Sequence, residues 1–589
     1  MNKRRSKVSS LAPDSEQPKS ALRTLRLLVR NGLPREHTIE SPSQLQAEIH
    51  KVLESLEPSL SRFSLLDSLM YQSLLAESHA MFGRIDDAIK VLEPAPGKGP
   101  AVEMLSFLDA SARAGRAQLP ENYLADKKLL RQAIWLLMNY LFFRFYEKGS
   151  YEPCLQHLTQ LETVILGDLK SANHIPNGTL SRLYYYRSHC FRGLRRFVDV
   201  ERDLMRSQEH ANQRLKHKLN SPAALSESQN ILGKKAIDPL SISEHRDFAI
   251  ICTARILAFG FGWTELNRGR LSRARRLLLS AETLLLPSGH QAMKQLVQFL
   301  LAIIERRLST PGSPEYEQAI LNIKMQREIY ASMKSSVGEL RAVQELARAY
   351  LDWVDLLDWS TKQNDHEQRR SVLLNEARTI GDQFKELSET AEAHWKCRYK
   401  FIDVRLACQL DNPRYDIERK LLELKELIED GQPEFEIPYH VLQGYVFNRL
   451  AKWASSIDPL QEALKGIGND PLLEAEIRLL LAESFVGTNN LVKAEEESSR
   501  WATLSQSVQN CYLRNFAAHV DGIIESSRRP FHIDFYGGLD LDKNTKNLEI
   551  WLLRTAQKRC PDATENDVAD LLRTTRSKIN RKRHKYGLT

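Results

Sequence analysis

This 589-residue chain lacks most signatures of a catalyst, a membrane protein or a secreted scaffold. Its seven cysteines, at 154, 190, 252, 397, 408, 511 and 560, are odd in number and contain no Cys-x-x-Cys. That argues against a disulfide framework or a thiolate zinc site, and for reduced thiols in a cytoplasmic protein. The most apolar run, IWLLMNYLFF at 134–143, is too short to cross a bilayer. The basic N-terminus has no apolar stretch of the secretory kind. There is no Gly-x-x-x-x-Gly-Lys-Ser/Thr loop, no Gly-x-Gly-x-x-Gly after a strand and no Gly-x-Ser-x-Gly elbow. None of the sixteen histidines falls in His-Glu-x-x-His. Gly97-Lys98 lacks the upstream glycine of a phosphate loop and reads as the end of a hairpin. The expectation is a non-enzymatic protein without metal, cofactor or membrane segment.

Charge is unevenly placed. The final nineteen residues carry +7, the first thirty +6, and the long middle −5, within a net charge of +8. A mildly acidic middle is a poor polyanion binder, so nucleic-acid contact is expected only at the ends.

Period-two alternation of β-branched residues is almost absent, whereas apolar residues recur at three and four from about Pro42 to Ser527. The fold class expected is all-α. Helical hairpins align on small residues in YQSLLAESHAMFGRIDDAIKVLEPA (71–95), FGFGWTELNRGRLSRARRLLLSAETLLLP (259–287) and LLLAESFVGTNNLVKAEEESSRWA (479–502), with weaker versions around Gly149 and Gly193. Gly83, Gly269 and Asn489 stand where each hairpin must turn. These units resemble the tetratricopeptide repeat, which implies a stacked helical solenoid with a protein or peptide partner. Residues 320–430 fit the pattern poorly.

The domain reading is therefore a basic, largely disordered segment 1–40, a helical array 41–527 interrupted by a mobile insertion at 215–244, a linker 528–546 with room for a short strand pair, and a C-terminal unit 547–589. Three groups have plain structural readings. Trp135, Tyr140, Phe142, Phe143, Phe145 and Tyr146 are more simply core than a ligand groove. His79, His189 and His519 read as packed or half-buried. Glu495 to Glu497, and Asp355 with Asp358, read as solvated helix faces.

The C-terminal unit is the most informative part. An apolar helix runs from Asn547 to about Arg559, and Pro561-Asp562 breaks it. Thr564 is a good N-cap with Asp567 three residues on, in the manner of a capping box. Val568, Ala569, Leu571 and Leu572 form the apolar face of a short helix. Thr574 or Thr575 can cap the next helix, whose main apolar residue is Ile579. From Leu571 to the end there are seven Lys/Arg and no Asp or Glu. A basic second helix after a short turn is the form of a DNA-reading helix-turn-helix.

On Leu552-Leu553, Val568-Ala569, Leu571-Leu572, Arg576, Ile579, Lys582 and Tyr586-Gly587-Leu588, the segment resembles the Fis-type helix-turn-helix found in Fis and at the end of many sigma-54-dependent bacterial activators. The resemblance covers about forty residues. It implies contact with double-stranded DNA through Thr575, Arg576, Lys578, Asn580, Arg581 and Lys582. Thr564 and Asn566 would meet backbone phosphates. Arg and Lys suit guanine O6/N7 and Asn suits adenine N6/N7. Two positions depart from the pattern: Arg573 stands where the family has Gly, and Arg583 where it has Leu. The first asks the turn to avoid a left-handed residue or to bear the strain of one, and the second asks a cation to snorkel.

The reading is a bacterial, cytoplasmic, sequence-specific DNA-binding regulator without an ATPase, and the resemblance to Fis-type modules carries the expectation of a homodimer. The alternative is a protein–protein adaptor whose basic end anchors nonspecifically. A third, an RNA-binding regulator, is disfavoured because only Tyr586 offers a stacking ring near the basic helix.

Overall fold

A computed structural model describes residues 18–31, 42–115, 118–124, 126–169, 177–219, 250–285, 291–360, 366–410, 412–528, 541–559, 564–572 and 574–586. Among the described residues the chain is all-helical, with no strand, and many helix pairs pack against one another.

One local device recurs. Among the described residues, seven helix ends share one form, with Gly83, Gly149, Arg195, Gly269, Lys334, Ala451 and Asn489 in the left-handed region at φ between 54° and 84°. Each closes two backbone bonds of the same kind. Gly83 N–H donates to the Ala80 carbonyl at 3.0 Å, and Arg84 N–H to that of His79 at 3.0 Å. Lys334 donates to Ala331 at 3.0 Å and Ser335 to Tyr330 at 2.9 Å. These bonds satisfy carbonyls the helix end would orphan, and they reverse the chain for the next helix. The partner helix then packs back antiparallel, as Ile85–Leu92 does on Leu65–Met81 and Leu491–Leu504 on Pro471–Gly487.

The turns expected at Gly83, Gly149, Gly269 and Asn489 fall where the sequence placed them. The remaining hairpin turns on Arg195, at φ 58°, two residues after Gly193. Gly193 instead ends its helix against the Tyr151 ring, which a Cβ would approach to 2.6 Å. Within the poorly fitting region the turn at Lys334 precedes a long helix, Ser336–Trp359.

The first half of the array docks on the second at a nearly constant distance along the chain. Ser336 Oγ lies 3.4 Å from the Gly83 carbonyl; Lys148 pairs with Glu392, Arg195 with Asp470, and the Gln509 side chain accepts from Ser272 N–H at 2.7 Å. These contacts span 237 to 275 residues of sequence. Successive turns of one half therefore meet successive elements of the other in order, and residues of both halves line a cavity of about 480 Å³.

Buried carboxylates tie helices together. Glu77 accepts from Arg30 Nη2 at 2.7 Å, Trp135 Nε1 at 2.7 Å and Asn139 Nδ2 at 2.7 Å. Burial opposes its ionisation, but Arg182, Arg30 and Asn139 outweigh it and hold it far below the usual carboxylate range. Through Arg30 this node fixes Pro18–Asn31, which is helical and buries Leu22, Leu25 and Leu28. The expected irregularity of residues 1–40 thus does not extend to this stretch, whose apolar residues outweigh its basic composition. Asp355, expected on a solvated face, is fully buried. It accepts from Arg405 Nη2 at 2.7 Å, Tyr512 OH at 3.0 Å, Arg449 Nη2 at 3.1 Å and Tyr445 OH at 3.1 Å. Glu497 is likewise buried, between Arg478 at 2.8 Å and Arg500 at 2.7 Å. A cation on a neighbouring helix turns a sequence-local acidic cluster into an interior bond.

Trp135, Tyr140, Phe142 and Phe143 are buried in the main core, and Phe145 and Tyr146 pack against it. His189 is buried, and burial, with Arg192, Arg341 and Arg255 nearby, pushes its pKa far down; His519 falls to about 4 for the same leading cause. The expected insertion lies mostly in 220–249, outside the described residues, while its first residues complete the helix Phe197–Leu219. The proposed strand pair falls largely on 529–540, also outside them.

Candidate functional site

The C-terminal unit comprises the helices Leu541–Arg559, Glu565–Leu571 and Arg576–Tyr586. The first begins six residues earlier than the sequence boundary at Asn547. Leu553 and Ala556 of the first helix, Val568 and Ala569 of the second and Ile579 of the third form a small core of their own, with Leu572 at its edge. Ala569 has the small side chain that three converging helices need at their crossing.

The second helix opens on reciprocal bonds. Thr564 N–H and hydroxyl donate to Asp567 Oδ2, each at 2.7 Å, and Asp567 N–H lies 3.4 Å from Thr564 Oγ1. The hydroxyl bond, then the backbone bond, lowers the Asp567 pKa. Thr574 N–H reaches back to the Ala569 carbonyl at 2.8 Å and closes the turn. The Thr575 carbonyl accepts from Lys578 and Ile579 and so starts the third helix. Arg573 and the closing Gly587-Leu588 lie outside the described residues.

Burial of Ile579 fixes which face of the third helix looks outward. Thr575, Arg576, Lys578 and Arg581 are exposed, as are Thr564 and Asn566 at the start of the second helix. Asn580 is half-buried, and its side-chain oxygen has no partner among the described residues. Lys582 is half-buried and pairs with Glu549 of the first helix, so a phosphate would compete with an internal carboxylate for it. Arg583 is half-buried too, with its Nε enclosed, as a cation in a packing position must be.

A second candidate site escaped the sequence reading. The interior cavity is lined by eight arginines and five carboxylates, and by no lysine. Its arginines are contributed by several helices, two of which each present a pair seven residues apart: Arg341 with Arg348 and Arg398 with Arg405. That spacing puts both members on one helix face, and it was the available signal. No group of His, Cys, Asp or Glu among the described residues is arranged to hold a metal ion. No described helix is long and apolar enough to cross a membrane.

No family model matches the chain, and no curated protein does either.

Proposed function

We propose that this protein is a sequence-specific DNA-binding regulator. In this reading a tetratricopeptide-like solenoid receives a partner, and a Fis-type helix-turn-helix at residues 547–589 meets duplex DNA. The observation that carries it is the third C-terminal helix: Ile579 pins one face to a core while Arg576, Lys578 and Arg581 stand exposed on another. A plain basic tail needs neither that core nor the Thr564–Asp567 cap.

Exposed Arg and Lys would neutralise phosphates, and Arg576 and Asn580 would read base edges. With no ATPase loop in the sequence, action would be by recruitment, occlusion or titration of another regulator. Leu548 and Leu552, one turn apart and each 36% exposed, give the first helix an apolar face for a second copy. A dimer would call for a near-palindromic site with half-sites about 34 Å apart.

The test is selection from random duplexes by the full chain at two salt concentrations. An enriched motif that Arg576→Ala with Asn580→Ala abolishes supports the reading. Weak binding without a motif that vanishes at higher salt overturns it and leaves an adaptor with a basic anchor.

A further inference from the structure

We propose that the interior cavity binds a compact polyanion, a small molecule bearing two or more phosphate or carboxylate groups. At about 480 Å³ the cavity has the size of a small-molecule site. A nucleic-acid duplex does not enter it.

Its charges do not balance. Glu345 and Asp352 already serve four of the arginines. Arg306 bonds both, at 2.8 and 2.9 Å; Arg348 lies 3.2 Å and Arg307 3.7 Å from Glu345, and Arg405 3.2 Å from Asp352. Arg195 pairs with Asp470. Three remain. Arg341 has only Glu147, at 3.8 Å. Among the described residues no carboxylate comes within ion-pair distance of Arg192 or Arg398. Arg192 is 6% exposed, and its bonds go to neutral groups: the Phe259 carbonyl, the Tyr146 hydroxyl at 3.2 Å and His189 Nδ1 at 2.9 Å. Arg398 lies over Trp395 and Phe435, at 5.4 and 5.6 Å, with its Nε enclosed and unbonded.

These three share one region. Arg192 and Arg341 both lie over the Trp263 ring, at 4.8 and 5.0 Å. Beside Arg398 on the same helix, His394 is 5% exposed with Nδ1 unpartnered. Burial, then the charges of Arg398, Arg341 and Lys148, hold His394 down at about 3, so it stays neutral beside them. Burial also raises Glu147, Glu434 and Glu476, which weakens the negative side of the lining.

A buried guanidinium without an anion within ion-pair distance, as at Arg192, is costly, and the forked donors of all three arginines match phosphate and carboxylate oxygens. Arg192 comes from the first half of the array, and Arg341 and Arg398 from the second, so an anion held by all three bridges the halves. That gives the solenoid an effector, a role that rests on the regulator reading; the binding itself does not.

The experiment titrates the full chain, without DNA, with pyrophosphate and with citrate, using acetate as control. Calorimetry and tryptophan fluorescence report binding. The expected result is saturable binding of one probe per chain, weakened at least about tenfold by Arg398→Gln and by Arg341→Gln, with acetate inert. Arg398 holds no ion pair, so its variant is expected to keep the parental circular dichroism and melting midpoint. The proposal is overturned if neither probe saturates at millimolar concentration, if both folded variants bind like the parent, or if only an acidic peptide such as hexaglutamate binds. Motif selection is run separately on the same variants. Loss of anion binding with the motif intact leaves the DNA reading standing, and anion binding without a motif leaves the cavity site standing.

Discussion

A methyl group on Gly83 would sit 2.2 Å from the Ser335 hydroxyl. Two turns of the same type, one ending Leu65–Met81 and the other ending Pro314–Ser332, touch at this point. Gly83→Ala therefore meets two costs, a left-handed φ of 71° and a side chain in the way. A loss of about 2–3 kcal/mol is expected in denaturant unfolding. The equivalent turn at Ala451, with φ 55°, already carries the left-handed strain, and Ala451→Gly should gain about 0.5–1 kcal/mol by relieving it. Equal midpoints for both variants and the parent would remove the repeated turn as a stability determinant.

Asp355 joins Arg405, Arg449, Tyr445 and Tyr512. Asp355→Asn keeps the shape but removes the charge that Arg405 and Arg449 share. Both arginines keep a second partner, Asp352 and Asp358 respectively, so a loss of about 2–4 kcal/mol is expected. Asp358→Asn, at a more exposed position, should cost less than about 1 kcal/mol. The comparison is made by urea titration, and a smaller loss for Asp355→Asn than for Asp358→Asn would refute the assignment of Asp355 as an interior node.

The all-helical character and several hairpin turns were legible because their cause is local: periodic apolar residues and a turn residue between helices. Where glycine or asparagine holds the left-handed position, the turn could be read; where Arg195, Lys334 or Ala451 holds it, nothing in the residue type announces it. In the C-terminal unit the Thr564–Asp567 cap and the inward Ile579 were likewise local signals. Asp355, the cavity arginines and the Lys582–Glu549 pair were not. Their partners are distant in sequence, and a charged residue on a helix looks the same from sequence whether it faces water or a cation on another helix.

Glu483 provides a pH handle. Burial, chiefly, pushes its pKa from 4.5 to about 7, against the opposing pull of Arg449 and the Asn448 amide, while Asp355 adds to the rise. The folded chain thus keeps a proton that the unfolded chain releases near 4.5. Stability from this group is greatest below 4.5, falls as pH rises towards 7, and stays low above it. Glu483→Gln should match the parent in acid, exceed it at mildly alkaline pH, and flatten the profile between. Parallel profiles for variant and parent would show that Glu483 titrates normally.

Ile579 and Arg581 separate folding from contact in the C-terminal unit. Ile579 is 2% exposed in a core of five buried side chains, so Ile579→Ala removes a large share of what holds the three helices together. A loss of about 2–4 kcal/mol from so small a core should unfold the unit. Hydrogen exchange in the full chain would then show lost protection across Arg576–Tyr586, and DNA binding would disappear with it. Arg581 is exposed, so Arg581→Ala should leave that protection intact. It should lower affinity similarly for all sequences and reduce the dependence of log K on log salt by about 0.9, the share of one phosphate. If Ile579→Ala bound DNA like the parent while the helix lost protection, the cations would be acting as an unstructured tail, and the helix-turn-helix reading would fall.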